Sequence, residues 1–215
     1  MTKKYLLVCE GPTDIVILNK IAEHLGGKIV EISPAKDATS NTYPPQGWTE
    51  VKNWCMRHGK LKTKGNPLEF YMRMHKADGL IIQIDTDIAN FIKFEGQGGV
   101  PGDKAWCSNA IDQWLGTNSG LATTHYILTT QSTEIWIVAT YSNTRLGLPA
   151  NSLKDYETIA DPQLQLVQLG YAVEKGVLKK SEKQYRMPKY APRIIEHLSK
   201  AKYRSMELKK FIDLF

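Results

Sequence analysis

The sequence predicts an α/β protein: a mostly parallel sheet flanked by helices, followed by a basic helical C-terminal extension. Three observations carry that expectation. "YLLVCEGPTDIVIL" (residues 5–18) runs from an apolar strand through a Gly-Pro turn into a helix, the opening of a βαβ unit. "GLIIQID" (79–85) is a second apolar strand, reached through helical patterning and closed by acid. The last 41 residues hold twelve Lys or Arg and four acids, so this stretch carries +8 of a total formal charge of +6, and the first 174 residues sum to −2.

Along the chain, residues 4–9 read as a buried strand. Residues 13–25 follow as a helix whose stripe is Ile15, Ile17, Leu18, Ile21, Ala22 and Leu25, stopped by Gly26-Gly27. A short strand over 28–32 completes the first βαβ unit. Residues 33–47, "SPAKDATSNTYPPQG", are dense in turn formers and predict a loop. Helices over 48–57 and 68–76 lead to the strand at 79–85. A Gly-rich loop from Glu95 to Gly102, a helix over 104–115 and a strand over 124–129 repeat the passage. "STEIWIVATYS" then opens with Ser132 or Thr133 ahead of Glu134, a capping signal at a helix start. Beyond Leu153 the pattern is helical apart from turns at Asp161-Pro162 and Pro188. This divides the chain into a catalytic α/β unit over 1–150 and a basic helical extension over 151–215, packed on or appended to it.

Composition bounds the function. At 215 residues, 42% apolar and 23% charged, the chain matches an ordinary globular protein with a real core. No run of eighteen apolar residues predicts a membrane span. The N-terminus reads as a strand and not as a signal peptide. Cys9, Cys55 and Cys107 are too scattered for a disulfide framework or a zinc site, which fits a reducing, cytoplasmic compartment. Cys9 sits beside Glu10 but should face the opposite side of its strand, as a small core residue. No P-loop pattern is present, so the chain has no evident means of binding ATP by itself.

The acids fall where strands should end: Glu10 after the first, Asp85 and Asp87 after the later one, and Glu134 beyond the third. The carboxyl ends of parallel strands line one edge of a sheet, so these side chains should converge there. Clustered carboxylates repel and raise one another's pKa, a situation a cation relieves, and all-oxygen ligation suits magnesium or manganese. In an extended Asp-x-Asp the two side chains share a face roughly 7 Å apart, able to bracket one ion or hold two. A turn with solvated acids is the structural alternative. Asp14, in the first turn of the helix, either reaches the same edge or simply complements the helix dipole. A phosphatase of the haloacid-dehalogenase type would carry its Asp-x-Asp after the first strand, and Ala89 stands where it needs Thr or Val.

With "EGPTD" after the first strand, "DTD" after a later one and "TEIW" further on, residues 3–140 resemble the Toprim domain. The wording is closest to OLD-family nucleases and small stand-alone Toprim-like proteins of bacterial defence systems. The resemblance implies a metal-dependent nuclease site built from Glu10, Asp85, Asp87 and Glu134, with Asp14 as a further ligand. Asp85 and Asp87 would ligate one or two magnesium or manganese ions, Glu10 would be a ligand or general base, and Glu134 would serve a second ion. It also implies nucleic acid, DNA or RNA, as the substrate and an antiviral defence role. OLD nucleases carry an ATPase domain, which nothing here supplies, so a separate ATPase protein is the expected partner, with room for a homo-oligomer. The primases' zinc-binding domain and the topoisomerases' tyrosine domain have no counterpart. The basic extension would hold the nucleic-acid backbone through Lys179, Lys180, Lys183, Arg186, Lys189 and Arg193, with Lys179, Lys180 and Lys183 as candidates to assist catalysis. It fits an ordinary solvated helical face equally well. Tyr185 and Tyr190 fall among these charges, where packing is the commoner use. A non-catalytic Toprim-like module that binds nucleic acid or a partner protein is the alternative from a different class.

Overall fold

A computed structural model of the chain describes residues 2–59, 67–94, 96–116, 123–130, 132–150, 152–171, 173–174, 177–178 and 191–215. Its centre is a four-stranded parallel sheet, with helices on both faces. The strands are β1 (Lys4–Val8), β2 (Lys28–Ser33), β3 (Gly79–Asp85) and β6 (Thr124–Thr129), in the order β2-β1-β3-β6. A parallel sheet covered on both sides needs strands apolar on both faces, and β1 and β3 have that composition.

The pleat sorts β1 and β3 into two cores. Tyr5, Leu7, Cys9 and Ile81 face α1 (Pro12–His24) and α5 (Glu134–Val138). Leu6, Val8, Leu80, Ile82 and Ile84 face α2 (Trp48–His58) and α4 (Lys104–Leu115). A further helix, α3 (Pro67–His75), leads into β3. Helix α4 starts on the Asp103 carboxylate, which accepts from the Trp106 N–H at 2.9 Å, and ends at Gly116 in the left-handed region, φ +68°.

The expected strands and helices of the α/β unit are present within a residue or two. Three local expectations are corrected. The strand β3 stops at Asp85, and Thr86–Asn90 form a 3₁₀ turn, so Asp85-Thr86-Asp87 is not extended and its acids do not share a strand face. The Gly-rich loop contains a short antiparallel ribbon, β4 (Lys93–Phe94) with β5 (Gln97–Gly98). The C-terminal region is not wholly helical, because β7 (Val173–Glu174) pairs antiparallel with β8 (Val177–Leu178).

The described C-terminal elements are a 3₁₀ turn at Tyr156–Thr158, α6 (Pro162–Gln168), α7 (Ala191–Glu196), α8 (Leu198–Ala201) and α9 (Met206–Ile212). Tyr156, Leu166, Ile194, Leu208 and Phe211 are buried in the same apolar cluster as α1 and Trp136. They also close an edge of the sheet. Glu207 accepts the Leu128 N–H and Glu157 the Thr130 N–H, each at 3.0 Å, and these are alternate outward N–H groups at the end of β6. Lys104 reaches both carboxylates at 3.3 Å. Open strand edges invite pairing with other chains, and here side chains occupy that edge.

Candidate functional site

In the order β2-β1-β3-β6, the chain leaves β1 toward one side for β2 and returns on the other side for β3. The reversal places a topological switch point between β1 and β3, and a crevice opens there at the carboxyl ends of the two strands. Glu10 and Asp85 flank it. Glu10 follows β1 by two residues and Asp85 ends β3, and the Asp85 N–H donates to Glu10 Oε1 at 2.8 Å.

The sequence from 9 to 14 builds one wall. Pro12 occupies the first turn of α1, where its missing N–H is harmless. Asp14 is in that turn and 6% exposed. The Thr133 hydroxyl donates to Asp14 Oδ1 at 2.8 Å across 119 residues. Thr133 therefore does not cap α5 through its side chain, as the capping signal predicts; it ties that turn to α1. Glu134, the first residue of α5, is 5% exposed.

The loop over 33–47 returns to Glu10. Gly47 donates its N–H to the Glu10 carbonyl at 2.8 Å, and the Trp48 N–H bonds the Glu10 carboxylate. Gly47 has φ +104°, a conformation that favours glycine, and offers no capping side chain to α2. Glu10 serves α2 as an N-terminal acceptor supplied from another strand.

Asp85 is held from the opposite side. The Thr129 hydroxyl donates to Asp85 Oδ1 at 2.5 Å, and Gln83 Nε2 donates to the same oxygen at 2.9 Å. Thr129 is the register partner of Asp85 on β6. The buried Gln83 Oε1 has no hydrogen-bond partner among the described residues.

The electrostatics follow from this crowding. Burial, with repulsion from Asp14 and Asp87, raises the Glu10 carboxyl to about 8 against the bonds from Asp85 and Trp48. Asp85 is pushed well above the usual carboxylate range, first by burial and then by Asp14, Glu10 and Glu134, with the Thr129 bond opposing. Glu10, Asp14 and Glu134 thus all lie within electrostatic reach of Asp85 at the sheet edge. Asp87, exposed on an otherwise largely buried 3₁₀ turn, acts on Glu10.

These donors suit a hard divalent cation: oxygen throughout, with Glu10 and Asp85 raised in pKa by burial and by neighbouring acids, and Gln83 Oε1 beside Asp85. Among the described residues, no three His, Cys, Asp or Glu side chains stand drawn together as a metal-holding group. Each of Glu10, Asp14 and Asp85 is hydrogen-bonded to protein donors. No known family, curated protein or solved structure matches this chain.

Cys9 is buried in the α1 core and bonded to the Gly11 carbonyl, and burial with Asp14 repulsion lifts its thiol, so it is no nucleophile. Lys179, Lys180, Lys183, Arg186 and Lys189, with Tyr185 and Tyr190, lie outside the described residues. Arg193 is described: its Nε donates to Thr140 Oγ1 at 2.7 Å and its guanidinium sits 3.8 Å from the centre of the Tyr141 ring. No described helix is long and apolar enough to cross a membrane.

Gln83, Thr129, Thr133 and the Trp48 N–H complete the site and are absent from the sequence expectations. Gln83 alone had a readable signal: it is the polar residue inside "GLIIQID", two positions before Asp85 and so on the same face.

Proposed function

We propose that the chain is a divalent-metal-dependent nuclease that hydrolyses phosphodiester bonds of DNA or RNA, in the manner of the Toprim domains it resembles. The observation that carries this reading is the Asp85 N–H to Glu10 bond at a topological switch point, with Asp14 and Glu134 close enough to perturb Asp85. A scaffold gains no stability from desolvating several carboxylates together, whereas a hard cation turns that repulsion into binding.

A bound magnesium or manganese ion, or a pair of them, would activate water and stabilise the leaving oxygen. Glu10, Asp85, Asp14 and Glu134 would hold the metal, with Asp87 reaching in from its 3₁₀ turn. Thr129 and Gln83 fix the Asp85 carboxylate, and Thr133 fixes Asp14. Where Glu10 acts as general base and not as a ligand, its raised pKa lets it accept a proton near neutrality. The basic residues from Lys179 to Arg193 would contact backbone phosphate without choosing sequence. A separate ATPase partner and a cytoplasmic antiviral role belong to the same reading.

One observation favours the second reading, a non-catalytic module that binds nucleic acid or a partner protein. Glu10, Asp14 and Asp85 each accept from protein donors, and the described residues contain no ready metal-holding group. The two readings separate in one experiment. Purified chain is incubated with supercoiled plasmid and with structured RNA in magnesium or manganese, and manganese binding is titrated in parallel. Cleavage that Glu10→Gln and Asp85→Asn each reduce by about a hundredfold or more supports the nuclease. No cleavage and no saturable manganese binding supports the module.

A further inference from the structure

Away from the acid edge, a cleft of about 390 Å³ opens between the end of α6 and α7, lined by Tyr141, Leu169, Gly170, Tyr171, Arg193 and Glu196, with Pro192 beside them. Its volume lies within the range of small-molecule sites, about 300–1,000 Å³. It shares no residue with the acid edge.

The cleft is built around a pre-set arginine. Arg193 Nε is pinned to Thr140 Oγ1 at 2.7 Å, and its guanidinium sits over the Tyr141 ring, 3.8 Å from its centre. The platform under it is itself anchored. Thr140 Oγ1 donates to the Ile137 carbonyl at 2.7 Å, and the Tyr141 carbonyl accepts from Arg204 at 2.7 Å and from Tyr156 at 3.0 Å. The Tyr141 and Tyr171 hydroxyls pair at 2.9 Å. Arg193 forms no ion pair among the described residues, although Glu196 lies one helical turn away in the same cleft. Among the described residues four of its five N–H donors make no hydrogen bond, and they sit in the planar fork that fits a phosphate.

We infer that this cleft binds a nucleotide phosphate: the phosphate on Arg193 and the Tyr141 hydroxyl, the base against Leu169, Pro192 and the tyrosine rings. Glu196 sets the choice of ligand. A bare phosphate ion gains the arginine but meets this carboxylate at the rim. A nucleotide gains the arginine and turns N–H groups of its base toward Glu196. The same chemistry is offered by a free mononucleotide and by the phosphorylated end of a strand. The inference does not depend on cleavage at the acid edge.

The test is run on the full chain in EDTA, where no metal-dependent step takes place, so its outcome is separate from that of the nuclease assay. Inorganic phosphate, adenosine 5′-monophosphate and a 5′-phosphorylated trinucleotide are titrated by calorimetry and by the NMR signal of the Arg193 Nε–H. The mononucleotide should bind about tenfold tighter than phosphate, and Arg193→Gln should weaken it by about tenfold or more. Glu196→Gln should tighten inorganic phosphate and narrow the gap between the two ligands. Equal affinity for phosphate and mononucleotide, or unchanged affinity in Arg193→Gln, overturns the inference. Should Arg193→Gln fail to fold by circular dichroism, Glu196→Gln decides alone: an unchanged ligand gap overturns it. Equal binding of trinucleotide and mononucleotide identifies the free nucleotide as sufficient, and tighter trinucleotide binding identifies the strand end.

Discussion

The main-chain N–H of Asp85 donates to the Glu10 carboxylate at 2.8 Å, joining the ends of two adjacent parallel strands through a side chain. The bond holds a carboxylate in a place where burial and two neighbouring acids work against its charge. Glu10 consequently has its pKa raised from 4.5 to about 8.

That shift predicts how stability depends on pH. Between about 4.5 and 8 the folded chain binds more protons than the unfolded chain, so folding stability falls as pH rises through this window. Asp85 is shifted in the same direction and adds to the slope. In EDTA, the wild-type unfolding free energy from urea titrations should decline from pH 5 to pH 8, by roughly 3–5 kcal/mol at most if Glu10 titrates as shifted. Glu10→Gln keeps an oxygen to accept the Asp85 N–H and should flatten the decline. A wild-type midpoint that rises over this range would contradict the burial of Glu10.

Metal should oppose the same repulsion. Manganese at a hundred times its dissociation constant should stabilise the fold by about 2.7 kcal/mol if it binds only the folded chain. At one fixed manganese concentration the gain should be larger at pH 8 than at pH 6, since ligation displaces the protons that Glu10 and Asp85 hold. Thermal melts with and without manganese at the two pH values check this, and Asp85→Asn should abolish the gain. Equal gains in the variant would place the ion elsewhere.

The Thr133 hydroxyl donates to Asp14 Oδ1 at 2.8 Å and links α1 to the turn carrying Glu134. Thr133→Val removes a donor from a buried carboxylate and should destabilise the chain by about 1–3 kcal/mol, while Thr133→Ser should retain most of the stability. Equilibrium urea unfolding of the three proteins measures this. Equal loss in Val and Ser would assign the effect to packing and not to the bond.

Much of this architecture was legible in the sequence because it is local. The apolar runs of β1 and β3, the stripe of α1 and the turn formers over 33–47 all report near-neighbour physics. The placing of Glu10 and Asp85 at one edge was legible too, since strand ends in a parallel sheet share a side. What escaped is contact across long separations. That Thr129 opposes Asp85 depends on the register of β6, and that Thr133 meets Asp14 depends on how α5 crosses α1. The Asp-x-Asp geometry failed for a local reason: the strand ends on its first acid, and the 3₁₀ turn swings Asp87 outward. Glu157 and Glu207 escaped as well, because a glutamate that caps a strand edge reads in sequence like any helix-surface acid.

That edge offers its own prediction. Lys104 lies between Glu157 and Glu207, whose carboxylates take two outward N–H groups of β6. Lys104→Met leaves the buried Glu157 without its lysine and Glu207 with Lys210 alone, and should cost about 1–3 kcal/mol at neutral pH. Lys104 is itself 31% exposed, which keeps the expected loss below that of a fully buried pair. Glu207→Ala frees an edge N–H and should promote self-association at high concentration, measured by sedimentation. A monomeric Glu207→Ala protein would show that α9 covers the edge without its carboxylate.

The C-terminal ring tests packing at the other end of β1. Phe215 stands edge-on to Tyr5 at 5.3 Å, and the Tyr5 hydroxyl donates to the Leu214 carbonyl at 3.0 Å. A Cβ on Gly27 would fall 2.0 Å from the Phe215 ring, closer than any real contact. Gly27 is not in the left-handed region, so only space forbids a larger residue there. Gly27→Ala should therefore displace the ring and destabilise the chain by about 1–3 kcal/mol. In a Phe215→Ala background the same substitution should cost little, giving a coupling of about 1 kcal/mol or more in a double-mutant cycle. Additive losses would mean that the ring moves aside freely and that the Tyr5–Leu214 bond, not Phe215, holds the C-terminal segment against β1.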